Sequence, residues 1–186
     1  MTTLDSKLLQ KLLKSAAETL DGEWVLLGGT LLPALGLDTR PTVDVDLVSL
    51  EKNSNEKSFQ LMQLAESLGL PVETINQAAA YFLEKTGHTR GDLILLKKGS
   101  RATIYRPTLT LFWKLKIGRL SESDLSDCLH YLKFSKEHGE TVDPPTLGAL
   151  IDQALRDRPT ADRAARLAEL RRRLQESQGD GQPYST

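Results

Sequence analysis

The chain has 186 residues, 39% of them hydrophobic and 26% charged, with 24 Lys plus Arg against 25 Asp plus Glu and a formal net charge of -1. That composition can bury a core, which excludes a disordered chain and predicts one compact unit or one with a helical annex. The near-neutral balance excludes a global pull onto nucleic acid or an anionic membrane, so any polyanion site must be local. No N-terminal apolar leader and no long apolar span is present, so neither secretion nor membrane insertion is expected and a cytoplasmic location is. The single cysteine, Cys128, excludes an intrachain disulfide. Its place in the helical pattern Leu125, Cys128, Leu129, Leu132 reads as a buried structural thiol.

In chain order, Leu4, Leu8, Leu9, Leu12, Leu13, Ala16, Ala17 and Leu20 recur at helical spacing and predict an amphipathic helix that stops near Gly22. A strand over 24–27, a short helix over 31–37 and a strand over 43–50 follow, the last after the turn Asp38-Thr39-Arg40-Pro41. The next helix, 56–68, is expected to bury Phe59, Met62, Leu64, Ala65 and Leu68 and to end at Gly69. Residues 72–83 fit helix and strand equally. The runs 92–96 and 102–105, around Lys98-Gly99-Ser100, predict an antiparallel hairpin. After Pro107 the pattern is helical: 108–117, then a helix to about His138 opened by the variant capping box Ser121-Glu122-Ser123-Asp124, then 146–155 and 161–174. The fold class is therefore α/β of the α+β kind, a small mixed sheet with flanking helices. Residues 1–140 form its α/β domain, 141–177 a helical extension of the same unit and 178–186 a mobile tail.

Two carboxylates two positions apart on a strand share one face, so Asp44 and Asp46 point together while Val43, Val45 and Leu47 line the other side. Such a pair repels itself unless a cation lies between, and hard oxygen ligands suit Mg²⁺, with Mn²⁺ as the alternative, bridging substrate phosphates. Gly28-Gly29-Thr30 falls where a strand ends and a helix begins, a place where backbone N–H groups can approach an anion. The other reading is a solvent-facing acid pair beside a plain tight turn.

The order Leu27-Gly28-Gly29, then Arg40-x-Thr42-x-Asp44-Val45-Asp46-Leu47, resembles the hallmark of the nucleotidyltransferase superfamily. A second block, Thr110-Leu111-Phe112-Trp113-Lys114-Leu115-Lys116 with Arg119 and then Asp124-Leu125-Ser126-Asp127, resembles the later motifs of its AbiEii-type branch, the toxins of abortive-infection systems. The likeness spans roughly residues 20–135. It implies a nucleotidyltransferase-type sheet and Mg²⁺-dependent transfer of a nucleotide from a nucleoside triphosphate to a macromolecule, RNA and in particular tRNA. It also implies a cognate antitoxin or other protein partner. Asp44 and Asp46 would hold the metal, while Gly28, Gly29, Thr30 and Lys114 would hold the nucleotide. The superfamily needs a third carboxylate, for which Asp92 is the first candidate and Glu84 the second. The chain departs from the branch at Ser123, where a basic residue is usual before the first acid. The alternative is a catalytically silent relative that binds a nucleotide or a protein partner in a toxin–antitoxin or defence system.

Several residues carry structural readings beside these. Lys114 can snorkel from a buried helix, and Arg40 can pair with Asp38. Asp124 can cap its helix while Asp127 solvates the same face. The arginines at 156, 158, 163, 166, 171, 172 and 173 read first as a solvated helix face laced with ion pairs and second as a nucleic-acid surface.

Overall fold

The structure is a computed structural model, and it describes residues 4–37, 43–51 and 55–179. The turn 38–42, with Asp38, Arg40 and Thr42, lies outside the described residues. The chain divides into two compact units, Met1–Thr108 and Leu109–Thr186. The boundary follows the second strand of the hairpin, whereas the sequence pattern predicts a first domain that extends to residue 140.

The first unit runs α1 (Ser6–Thr19), β1 (Gly22–Leu27), α2 (Leu31–Ala34), β2 (Val45–Ser49), α3 (Asn55–Ser67), β3 (Ile75–Asn76), α4 (Ala80–Thr86), a 3-10 turn (Arg90–Asp92), β4 (Leu93–Lys98) and β5 (Ala102–Pro107). Asp5 caps α1, its carboxylate accepting from the Leu8 amide, and Leu9, Leu12, Leu13, Ala16 and Ala17 form the buried stripe. The five strands make one mixed sheet in the order β3-β2-β1-β5-β4. β1 pairs antiparallel with β2 and parallel with β5, and β2 parallel with β3. Strand alternation then places Trp24, Leu26, Leu47 and Ile104 on one face, all fully buried. The hairpin forms as expected, with an irregularity between Leu95 and Lys97. Gly99 is required in it, because a Cβ there would collide with the Ala17 carbonyl of α1.

Three local expectations change. The strand starts at Val45, so Val43 precedes it and is 36% exposed instead of lining the buried face. In α3, Phe59 and Met62 are exposed at 57% and 45%, and the buried side is Leu61, Leu64, Ala65 and the stem of Lys57. Lys57 bonds Glu51 at 2.9 Å and the Asp21 carbonyl at 2.7 Å, with its ammonium over the Trp24 ring. These polar anchors rotate α3 away from the simple apolar reading. The ambiguous stretch 72–83 resolves into the two-residue β3 and the start of α4.

The second unit contains α5 (Leu109–Ile117), α6 (Glu122–Glu137), α7 (Pro144–Arg156) and α8 (Ala161–Gly179). Ser121 and Asp124 form the expected capping box at the start of α6. Asp143 caps α7, whose first two residues are prolines, the position where a missing N–H costs least. The core includes Phe112, Trp113, Tyr131, Leu147, Ile151, Leu167 and Leu170, with Phe112 packed edge-on against Tyr131. Cys128 is buried as expected. α8 reaches Gly179, so Gln178 is helical, and residues 180–186 lie outside the described residues. No described helix is long and apolar enough to cross a membrane.

Candidate functional site

The β1–β2 register sets Leu27 opposite Asp46 and so brings the Gly28-Gly29 turn beside the acidic strand. Gly28 has φ +69°, and a Cβ there would collide with Asp46 Oδ2. The turn therefore needs glycine for its backbone and for the room it leaves to the carboxylate. Asp46 is half-buried at the second position of β2. Asp44 is exposed just before the strand, where the Val45 amide donates to the Thr74 carbonyl at 2.8 Å.

The remaining candidates are less well gathered. Thr30 is fully buried, and its hydroxyl donates to the Leu27 carbonyl at 3.2 Å, so it faces inward. It makes no side-chain cap, and α2 behind it is one turn of four residues. Such a short helix contributes little dipole to an anion. Asp92 closes the 3-10 turn just before β4, the strand at the opposite edge of the sheet from β3. With β1 and β5 between them, β2 and β4 lie about 14 Å apart, three spacings of ~4.8 Å. Asp92 Oδ2 also accepts from the Thr89 amide at 2.8 Å and the Thr89 hydroxyl at 2.9 Å. Glu84 is an exposed residue of α4. On β3 the residue in register with Asp46 is Asn76. Among the described residues no group of three or more His, Cys, Asp or Glu could hold a metal ion. Lys114 is half-buried on α5, in the second unit.

Two polar clusters lie outside these expectations. On the sheet face that carries Asp46, Arg90 bonds Glu23 at 2.9 and 2.8 Å and lies over the Tyr105 ring. The Arg90 guanidinium holds the Glu23 carboxyl below the usual carboxylate range. This cluster ties the 3-10 turn to β1 and β5.

The second cluster is buried in the helical unit. Lys116 Nζ lies 3.0 Å from Asp124 Oδ1 and 2.7 Å from Asp127 Oδ2, and all three residues are less than a tenth exposed. Arg119 adds two bonds of 2.8 Å to Asp124, and the Ser121 hydroxyl donates to the same carboxylate at 2.7 Å. Burial alone would raise the Asp124 pKa, but the Arg119, Ser121 and Lys116 partners outweigh it and hold the carboxyl well below its ordinary range. One expectation is corrected here: Asp127 is an ion-pair partner in the interior instead of a solvating surface acid. Lys116, its partner, is the more buried lysine of α5. The i, i+3 spacing of Asp124 and Asp127 is the signal in the sequence, since it places both acids on one helix face.

The arginine run divides as well. Arg171 pairs with Asp152, and Arg172 and Arg173 pair with Glu169 and Glu176. No protein-family model, no curated protein and no solved structure matches the chain.

Proposed function

We propose that the protein is an Mg²⁺-dependent nucleotidyltransferase-like protein that binds a nucleoside triphosphate at the Gly28-Gly29 turn and transfers a nucleotide to RNA. The single supporting observation is the lodging of the Asp46 carboxylate against Gly28, which combines a hard metal ligand with backbone amides suited to phosphate. Asp44 and Asp46 would hold Mg²⁺, or Mn²⁺ in its place, and the metal when bound supplies charge neutralisation at the leaving pyrophosphate. Gly28 and Gly29 would bind phosphate oxygens from the opposite side, and Asp46 would be kept in place by the turn it packs on. Lys114 as a phosphate contact and a cytoplasmic antitoxin or other protein partner remain parts of the proposal carried by the sequence resemblance alone.

Isothermal titration with each triphosphate in the presence of Mg²⁺ tests the site. Binding should vanish in the Asp44→Asn, Asp46→Asn double variant, with circular dichroism showing that the variant keeps its fold. Unchanged binding removes the metal assignment.

A second reading is a silent nucleotide-binding module. The observation favouring it is the position of Asp92, committed to its own cap three strands from Asp46. Incubation with radiolabelled triphosphates and total RNA separates the two: label on RNA supports the enzyme, and triphosphate binding without transfer supports the silent module.

A further inference from the structure

Four large apolar side chains of the first unit stand in solvent on two helices. Phe59 and Met62 of α3 are 57% and 45% exposed, and Tyr81 and Phe82 of α4 are 63% and 58% exposed, their rings edge-on at 5.5 Å. Gln77 draws the two helices together, its amide nitrogen donating to the Ser58 hydroxyl at 3.4 Å while its side-chain oxygen accepts from the Ser49 amide at 3.0 Å. Ser58 and Met62 are four residues apart and share a face of α3, so the start of α4 lies on the side that presents Met62. Three aromatic rings more than half uncovered leave roughly 100 Å² apiece in water, about 300 Å² before Met62 is added. Apolar patches of that order are as large as a monomer ordinarily shows and often bind a partner.

The charges that border this surface are nearly all of one sign. Glu56, Glu66, Glu73 and Glu84 are exposed and form no ion pair among the described residues. Glu56 and Glu66, three residues before Phe59 and seven after it, lie on the Phe59 side of α3. Between residues 55 and 86 the exposed base is Lys85, whose ammonium lies 6.0 Å from the Tyr81 ring, while Lys57 is buried and held by Glu51. The lysines of α1 belong to the other flank, because α3 meets Asp21 just beyond α1 through Lys57 and Gln60, and Gln60 points away from Met62 two positions on. A second copy fits poorly, since a two-fold pair would set this patch and its acids against themselves. The two helices have their backbone groups bonded within themselves and offer side chains only. An occupant must therefore satisfy its own backbone, as a helix does and an extended strand does not.

We propose that the surface of Phe59, Met62, Tyr81 and Phe82 docks a basic amphipathic helix of another protein, its apolar face on these side chains and its lysines or arginines beside Glu56, Glu66 and Glu84. The aromatic rings supply apolar contact at low entropic cost, and the acids select the charge of the partner. The inference concerns the first unit alone and requires no triphosphate. A protein that docks such a helix and binds no nucleotide would keep it and lose the enzyme reading.

The test is fluorescence anisotropy with a labelled helical peptide of leucine and lysine, leucines on one face, no triphosphate, and a series of KCl concentrations. A peptide of the same composition in scrambled order and one with glutamate in place of lysine should each bind at least tenfold more weakly. The Met62→Ser, Tyr81→Ser double variant should weaken binding of the first peptide roughly tenfold, whereas Leu95→Ser, at an exposed leucine of β4, should leave it unchanged. Glu56→Gln with Glu66→Gln should weaken it at low salt and make it less sensitive to KCl. Equal affinity of the native protein and the Met62→Ser, Tyr81→Ser variant overturns the proposal, as does equal binding of the scrambled peptide. Self-association of the native protein in sedimentation that the same double variant abolishes also overturns it, because a second copy would then cover the patch. Should that variant fail to fold by circular dichroism, a benzophenone-bearing form of the leucine–lysine peptide decides on the native protein: adducts on α3 and α4 support the assignment, and adducts confined to other elements refute it.

Discussion

Asp46 lies against Gly28, with Oδ2 occupying the space that any Cβ at residue 28 would need. The relationship follows from the pairing of Leu27 with Asp46 across β1 and β2. Gly36 is a built-in comparison, because its φ is also positive, +81°, and no described atom lies within 4 Å of a Cβ placed there. Gly36→Ala should therefore cost only the left-handed backbone penalty, about 1–2 kcal/mol. Gly28→Ala should cost more in urea unfolding, and adding Asp46→Ala should recover the difference. Equal costs for the two alanines would remove the close packing of turn and carboxylate.

The lysines of α5 should separate by stability. Lys116→Met removes the ammonium that bridges Asp124 and Asp127, leaving Asp124 with Arg119 and taking from the buried Asp127 its 2.7 Å ion pair, and should destabilise the protein by about 3–5 kcal/mol. Lys114→Ala, at a half-buried position, should cost less than about 1.5 kcal/mol in the same chemical denaturation. In titration with Mg²⁺ and triphosphate, Lys114→Ala should weaken binding if Lys114 contacts phosphate, and native-like affinity would leave it as a snorkelling side chain.

Asp124 predicts an acid-limited stability. Its folded pKa is depressed, so it contributes stability that is fully present above the unfolded carboxylate value near 3.9 and is lost as pH falls toward the lower folded value. Asp124→Asn should therefore show a shallower fall of unfolding free energy below about pH 4 than the native protein. Parallel pH profiles would contradict the assigned ion pairing.

Burial pushes the Cys128 thiol up, which disfavours the thiolate that reacts. A disulfide reagent at neutral pH should leave the folded protein unlabelled and label it on unfolding in urea. Rapid labelling under native conditions would place the thiol at the surface.

Asp92→Ala should cost about 0.5–2 kcal/mol through loss of the Thr89 cap. Triphosphate affinity should remain unchanged, because β4 is remote from β2 in the sheet order. A loss of binding without loss of stability would return Asp92 to the site.

The parts of this protein legible in its sequence are those set by neighbours along the chain. The Ser121–Asp124 capping box, the hairpin through Gly99 and the stripe of α1 depend on hydrogen bonds and periodicities within a few residues. The Gly-Gly turn and the acidic strand are visible for the same reason, and it takes strand pairing to place Asp46 against Gly28. What only tertiary structure decided is strand order and the rotation of each helix. Strand order carried Asp92 to the far edge of the sheet, a placement that no spacing in the sequence encodes. Helix rotation, set by polar anchors as much as by apolar area, exposed Phe59 and Met62 while burying the stem of Lys57. It also turned Lys116 onto two acids of the next helix, since a buried charge is stable only where partners from elsewhere in the fold meet it.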